Sequence, residues 1–229
     1  MQANSRPVTS SQTHTHNRLP SLLRRHLACE YRKPVASHSR AAFKTLSSTL
    51  ADNQRPLMLD SFCGSGHSTI ALANKNPNYL VVGVDKSAHR LGKQPARKTD
   101  NCLLLQAECE DIWQLLRAEG LTVVHHYLLY PNPWPKPKHL QRRIHGSGAF
   151  RWLLDLGGRV ELRSNWKIYV EEFGLAMQLA GHPGIVFQTQ PSAPLTLFES
   201  KYLSSGHAIW SFIGQASHSA NSDEMAIIG

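Results

Sequence analysis

The chain has no run of about 20 apolar residues, the length a helix needs to cross a bilayer, so no spanning helix is expected. Residues 1–18 lack the apolar centre of a secretion signal. Cysteine is scarce. Cys29, Cys63, Cys102 and Cys109 form no C-x-x-C pair, which argues against a disulfide framework or a zinc site. A reducing cytoplasm is the expected compartment. No internal repeat is present, and no His/Cys/Asp grouping suggests a metal or a nucleophilic triad. His14 and His16 are two ligand types on a polar stretch, too few for a metal site.

Acid is missing from one stretch altogether. Residues 132–151 carry five Lys/Arg and no Asp or Glu, and residues 1–44 carry eight Lys/Arg against one acid. The rest of the chain carries twelve Lys/Arg against fifteen acids, a balance of −3, so the excess positive charge is confined to two segments. Segregated charge of this kind creates the local potential that phosphates bind, and a nucleic acid is the expected partner. With 229 residues, 41% of them hydrophobic and 18% charged, the chain is expected to form one globular domain with an added arm.

Residues 1–18 read as a flexible tail and residues 19–52 as a basic helical arm interrupted at Pro34. In the second helix Ala42, Phe43, Leu46 and Leu50 fall on one face. Strands and helices then alternate. Strands are expected at 56–61, 79–84, 101–106, 122–130, 159–163, 184–188 and 206–212. Helices are expected at 66–75, 87–98, 108–118, 147–156 and 165–179, and residues 215–229 as a loose tail. This pattern predicts an α/β domain over residues 53–214. It is a doubly wound, mostly parallel seven-stranded sheet with helices on both faces, a Rossmann-like fold. Ligands of such sheets bind beyond the carboxyl ends of the strands.

The first strand runs into Asp60-Ser61-Phe62-Cys63-Gly64-Ser65-Gly66, where two glycines let backbone approach a ligand closely. The second ends at Asp85, about 20 residues beyond the glycines, where an acid can accept both hydroxyls of a ribose. The third is followed by Glu108, which can accept from an adenine amino group. Together the three ends describe an adenosine-containing cofactor. Thr69 stands where a dinucleotide site wants its third glycine, and Asp60 would repel a pyrophosphate. The same carboxylate would suit a cationic amino acid moiety. S-adenosylmethionine is therefore favoured over NAD.

The fourth strand is followed by Tyr130-Pro131-Asn132-Pro133-Trp134-Pro135-Lys136-Pro137-Lys138-His139-Leu140-Gln141-Arg142-Arg143. Prolines stiffen this loop, Trp134 offers an aromatic face, Asn132 sits where a methyl acceptor should arrive, and four cations suit phosphates. This stretch resembles the F-P-D-P-W-x-K-x-x-x-x-x-R-R segment of the bacterial tRNA (guanine-N7)-methyltransferases. Arg163–Tyr169 is similar to that family's T-D-x-x-x-Y segment, Thr196–Glu199 to its T-x-F-E motif, and Gly206–Trp210 to the strand that follows. The resemblance runs from about residue 56 to 212. It implies a methyltransferase that uses S-adenosylmethionine and acts on tRNA or another structured RNA. Asp60, Gly64, Gly66, Asp85 and Glu108 would line the cofactor pocket and Asn132 would be the catalytic position. Lys136, Asn165, Thr196 and Glu199 would lie on the substrate side. The basic arm and residues 136–151 would hold RNA, and the protein would be a monomer or homodimer without membrane contact.

Two departures stand out. The family acids of P-D-P-W and T-D are Asn132 and Asn165 in this chain. Methylating guanine N7 requires no proton removal, yet the product ring gains positive charge that a carboxylate would stabilise. Two rival readings stay open at this point. Pro131-Asn132-Pro133-Trp134 also resembles the (N/D)-P-P-(Y/F/W) loop of amino-group methyltransferases acting on bases or protein amides. The lost acids would also suit a non-catalytic RNA-binding protein that retains a cofactor pocket.

Overall fold

The computed structural model describes residues 5–93 and 99–217. Its elements in order are α1 (Leu19–Ala28), α2 (Ser37–Asp52), β1 (Leu57–Ser61), α3 (His67–Lys75), β2 (Leu80–Asp85), α4 (Ala88–Leu91), β3 (Cys102–Gln106) and α5 (Cys109–Ala118). They continue with β4 (His125–Leu129), two 3₁₀ turns (Pro137–Arg142 and Ile144–Gly146), α6 (Phe150–Asp155), β5 (Gly158–Ser164), α7 (Lys167–Leu179), β6 (Gly184–Thr189), α8 (Leu197–Ser204) and β7 (Ile209–Ala216). The basic helix expected over 87–98 is only α4, and residues 94–98 lie outside the described residues. Residues 215 and 216 belong to β7 rather than to a tail, and the rest of that expected tail, from 218 on, lies outside the described residues.

Seven strands form one sheet in the order β3-β2-β1-β4-β5-β7-β6. All pairings are parallel except those of β7, which runs antiparallel to both β5 and β6. The strand order reverses between β1 and β4, so the crevice for a ligand opens at their carboxyl ends.

Helix coverage is unequal. Leu57 and Leu59 of β1, with Val160 and Leu162 of β5, face a large core closed by α2, α5, α6 and α7. The apolar spacing of α5 explains its docking: Cys109, Ile112, Trp113 and Leu116 share one face and all are buried. On the opposite face Met58, Val81 and Tyr127 pack against Leu72 and Ala73 of α3, with Leu195 beside them. Farther along that face β5 carries Arg159, Glu161 and Arg163, and edge strand β6 leaves Ile185 69% exposed.

Residues 5–18 are not a loose tail. Their backbone and side chains hydrogen-bond to residues as distant as Pro135, Glu172 and Ser205. Their polar composition hid this, because apart from Val8, which packs against the main core, the contacts use amide, hydroxyl and main-chain groups.

The turn between α6 and β5 depends on glycine. Gly158 has φ +78°, and a Cβ there would stand 2.1 Å from the Val123 carbonyl oxygen. Gly158→Ala is expected to cost about 1–3 kcal/mol of folding free energy, read from the urea midpoint. An unchanged midpoint would show that the turn tolerates a side chain.

Candidate active site

A cavity of about 690 Å³ opens at the switch point. That lies within the usual range for a small-molecule or cofactor site, roughly 300–1,000 Å³. One wall is the turn after β1. Cys63 N–H donates to the Val84 carbonyl at 3.1 Å, Gly66 N–H closes the turn on the Cys63 carbonyl at 3.0 Å, and Gly64 N–H donates to Asp85 Oδ2 at 3.0 Å. Gly64 lines the cavity at φ +63°, and a Cβ there would meet no atom within 4 Å. Gly66 sits behind the wall, where a Cβ would stand 2.7 Å from the Leu104 side chain. It serves packing rather than the cavity.

Asp60 is also behind the wall. It is fully buried, and its Oδ2 accepts from Ser68 Oγ at 2.6 Å and Thr69 Oγ1 at 2.7 Å, while Oδ1 has no partner. Burial, together with the charge of Asp85, pushes its carboxyl up to about 6. Thr69, at the missing third glycine, thus ties α3 to β1. Asp85 does reach the cavity, 1% exposed, accepting from Ser87 N–H at 2.8 Å and pairing with Arg90 at 2.9 Å. Glu108 stands at the residue before α5 without capping it through its side chain, lines the cavity, and faces Lys86 across 3.9 Å. Glu110, one residue into α5, lines it too, and burial raises its carboxyl. Sequence reading passed over Glu110; an acid in the first turn of the helix after β3 was the available signal.

The opposite wall is the proline-rich loop. Asn132 is exposed, lines the cavity, and accepts Trp134 N–H on its Oδ1 at 3.4 Å. The Arg142 guanidinium lies 4.8 Å from the Trp134 ring centroid. Phe62, Tyr130 and Trp134 are the non-glycine residues with positive φ among those described, and all three line this cavity. Strain concentrated at one pocket is a mark of a functional site.

The residues expected on the substrate side separate. Thr196 lines the cavity and caps α8, accepting Glu199 N–H at 2.9 Å. Glu199 is fully buried below it, accepting from Tyr130 Oη and Arg163 Nη1, both at 2.8 Å, and from Leu195 N–H. Held by these three donors and buried, it braces the wall from behind rather than facing the cavity. Lys136 is exposed off the wall, and Asn165 points away, to His207 Nδ1 at 3.2 Å. Exposed Phe198 of α8, on the cavity rim, was not singled out by sequence reading.

Beneath the loop lies a buried ionic node. Arg143 and Glu172 are fully buried and paired; Arg143 also donates to the Trp134 carbonyl from Nε and Nη2 at 3.3 and 3.2 Å. Glu172 accepts further from Gln12 Nε2 at 2.6 Å and His16 N–H at 2.8 Å. His145 Nε2 lies 2.9 Å from the same carboxylate, and burial lowers the pKa of that imidazole below its ordinary value. Burial alone would raise Glu172, but the hydrogen bonds and charges of His145 and then Arg143 outweigh that and hold it at about 2. His126, buried against Ser61 Oγ at 2.8 Å and lowered by burial to about 3, is a hydrogen-bonded core residue.

A family model described as "Putative methyltransferase" matches residues 54–212, a span that contains both cavity walls. The chain belongs to this methyltransferase family. The tRNA (guanine-N(7)-)-methyltransferase of Colwellia psychrerythraea is 28% identical over 71% of each chain. That of Yersinia pestis strain Pestoides F is 26% identical over 80% of this chain and 82% of its own. The 16S rRNA methyltransferase KamB shares the fold at a TM-score of 0.56, with 20% identity over 82% of this chain and 97% of its own. So the methyltransferase is a divergent member with the expected Rossmann-like sheet. No helix among its described residues is long and apolar enough to cross a membrane, and those residues hold no metal-binding cluster.

The cavity of the methyltransferase fits S-adenosylmethionine. Its inner wall offers acceptors, Asp85, Glu108 and Glu110, to a ligand rich in hydroxyl and amino donors and carrying positive charge. The open space over Gly64 leaves backbone room beside them.

The node carries a pH signature. Glu172 titrates lower folded than unfolded, so its contribution is present above an ordinary glutamate pKa and is lost as pH falls from about 4.5 towards about 2. Glu172→Gln is expected to cost about 3 kcal/mol at neutral pH and to flatten stability over that acid window, measured by denaturant titration across pH. An acid slope that survives the substitution would assign it to other carboxylates.

Proposed function

We propose that this methyltransferase transfers the methyl group of S-adenosylmethionine to N7 of a guanosine in tRNA. The observation that carries the reading is the unlike character of the two cavity walls. The lining carboxylates Asp85, Glu108 and Glu110 are all on the β1–β2–α5 side, together with Lys86, Arg90 and Lys93, while Trp134, Asn132 and Phe198 with Arg142 and Lys201 line the other and bring no acid. The names of its relatives, tRNA (guanine-N(7)-)-methyltransferases, support the same substrate.

When bound, the cofactor supplies a methyl group on a positively charged sulfur. The chain supplies position. Asp85 and Glu108 accept from hydroxyl and amino groups, and the Gly64 turn leaves room for the ligand to pass close to the backbone. Trp134 gives the incoming base a flat wall, and the Asn132 amide orients it. Guanine N7 presents a free lone pair, so no general base is required and alignment provides most of the acceleration. Glu110 is a carboxylate in the same cavity when the ring gains positive charge. The cations have a separate task. The chain's two basic segments meet in the fold: Arg151 Nη1 donates to the Leu27 carbonyl at 3.3 Å, and Ser10 Oγ to that of Pro135. Lys136, Lys138 and Arg142 are exposed beside them, which suits an RNA backbone.

Incubation of unmodified tRNA with labelled cofactor, followed by digestion to nucleosides, is expected to yield 7-methylguanosine. Product only on an exocyclic amine would favour the amino-group reading, for which the Asn132 oxygen is the supporting feature. Asp85→Asn is expected to weaken cofactor affinity about tenfold or more by calorimetry, with RNA affinity unchanged. Equal cofactor affinity in the variant would remove Asp85 from the pocket's recognition set. Raising salt from 50 to 200 mM is expected to weaken RNA binding by about tenfold or more. A flat salt response would remove the basic face from RNA binding.

A further inference from the structure

The Pro131–Pro135 run of the loop has few main-chain donors with which to hold itself in place. Pro131, Pro133 and Pro135 have no N–H, and Trp134 sits at φ +45°, a conformation that costs energy for a non-glycine residue. Its two central carbonyls are held from outside. Arg143 donates to that of Trp134, and Ser10 Oγ donates to that of Pro135 at 2.5 Å.

Both donors belong to, or are set by, residues 5–16. Gln12 N–H donates to Ser10 Oγ at 3.0 Å. The Gln12 amide bridges the buried node, accepting from Arg143 Nη2 at 3.0 Å and donating to Glu172 at 2.6 Å. At the other end, Ser5 N–H donates to Ser205 Oγ at 3.2 Å, and its carbonyl lies 3.0 Å from His207 Nε2. The segment therefore runs from the end of α8, past the loop, to α7. α8 and the loop are the two elements that frame the acceptor half of the cavity.

We propose that residues 5–16 form a strap that positions the Trp134 loop, with Gln12 as the positioning residue and Ser10 as a second tie. Gln12 and Ser10 are uncharged, so their part differs from electrostatic RNA tethering by the basic residues around them. The kinetic consequence rests on the methyl transfer proposed above; the structural consequence does not.

The test uses the full chain as Gln12→Ala and, separately, Ser10→Ala. Hydrogen exchange of the Trp134 and His139 amides, which donate to Asn132 Oδ1 and to the Lys136 carbonyl, is expected to accelerate about tenfold in Gln12→Ala, with the β-strand amides unchanged. Ser10→Ala is expected to act in the same direction, and it removes none of the side chains that make up the buried node. With tRNA, kcat is expected to fall about tenfold to a hundredfold, while cofactor affinity and KM for RNA stay within about twofold. Unchanged loop exchange in both variants overturns the strap. So does a raised KM at constant kcat, which would mark a tether, or faster exchange throughout the domain, which would mark a general scaffold. If the unmodified protein shows no turnover, the guanine reading falls, and the exchange measurement alone decides the strap.

Discussion

The buried pair of Arg143 and Glu172 is the constraint on which the acceptor half of this molecule depends. A guanidinium fully removed from water must have partners on every side, and here those partners come from three distant segments: the loop carbonyl at Trp134, the carboxylate on α7, and the amide of Gln12. Satisfying one charge therefore fixes three pieces of backbone relative to one another. The cofactor half is built differently. There Asp85 accepts backbone N–H groups from the Gly64 turn and from Ser87, so its wall is organised locally around β1 and β2.

The chain's pattern of strands and helices was legible because each element is apolar at the spacing its geometry requires. Leu80–Asp85 is buried at every position, and α5 shows a single apolar stripe. Cavity position was legible for Gly64, Asp85, Glu108, Asn132 and Thr196, which follow strand ends or motif positions and do line it. It was not legible for Asp60, Gly66, Asn165 and Glu199. Each sits within a few residues of the wall, and sequence spacing does not tell a side chain in the cavity from one that braces it. Asp60 and Glu199 are carboxylates whose hydroxyl, guanidinium and backbone partners lie elsewhere in the chain. The ordered path of residues 5–18 was hidden for a related reason, since polar composition carries no record of a distant buried partner.

The two exchanges of acid for amide, at Asn132 and Asn165, have different physical meanings in the fold. Asn132 faces the cavity with its oxygen loosely held, so the change alters the charge a ligand meets. Asn165 faces His207 outside the cavity, its amide nitrogen 3.2 Å from the ring Nδ1. Only the first bears on the charge a guanine would meet, and Glu110 places a carboxylate elsewhere on the same surface.

The separation of Gln12 from Glu172 has a consequence for the order in which a newly made chain matures. The two residues are 160 positions apart. At ribosomal rates of about 5–20 residues per second, the amide waits roughly 8–30 s for its carboxylate to be synthesised. The Gly64 turn and Asp85, 21 positions apart, can meet within a few seconds of emerging. A nascent polypeptide thus acquires the neighbours of its donor pocket early, and the framework around Trp134 can close only after most of the domain has left the exit tunnel.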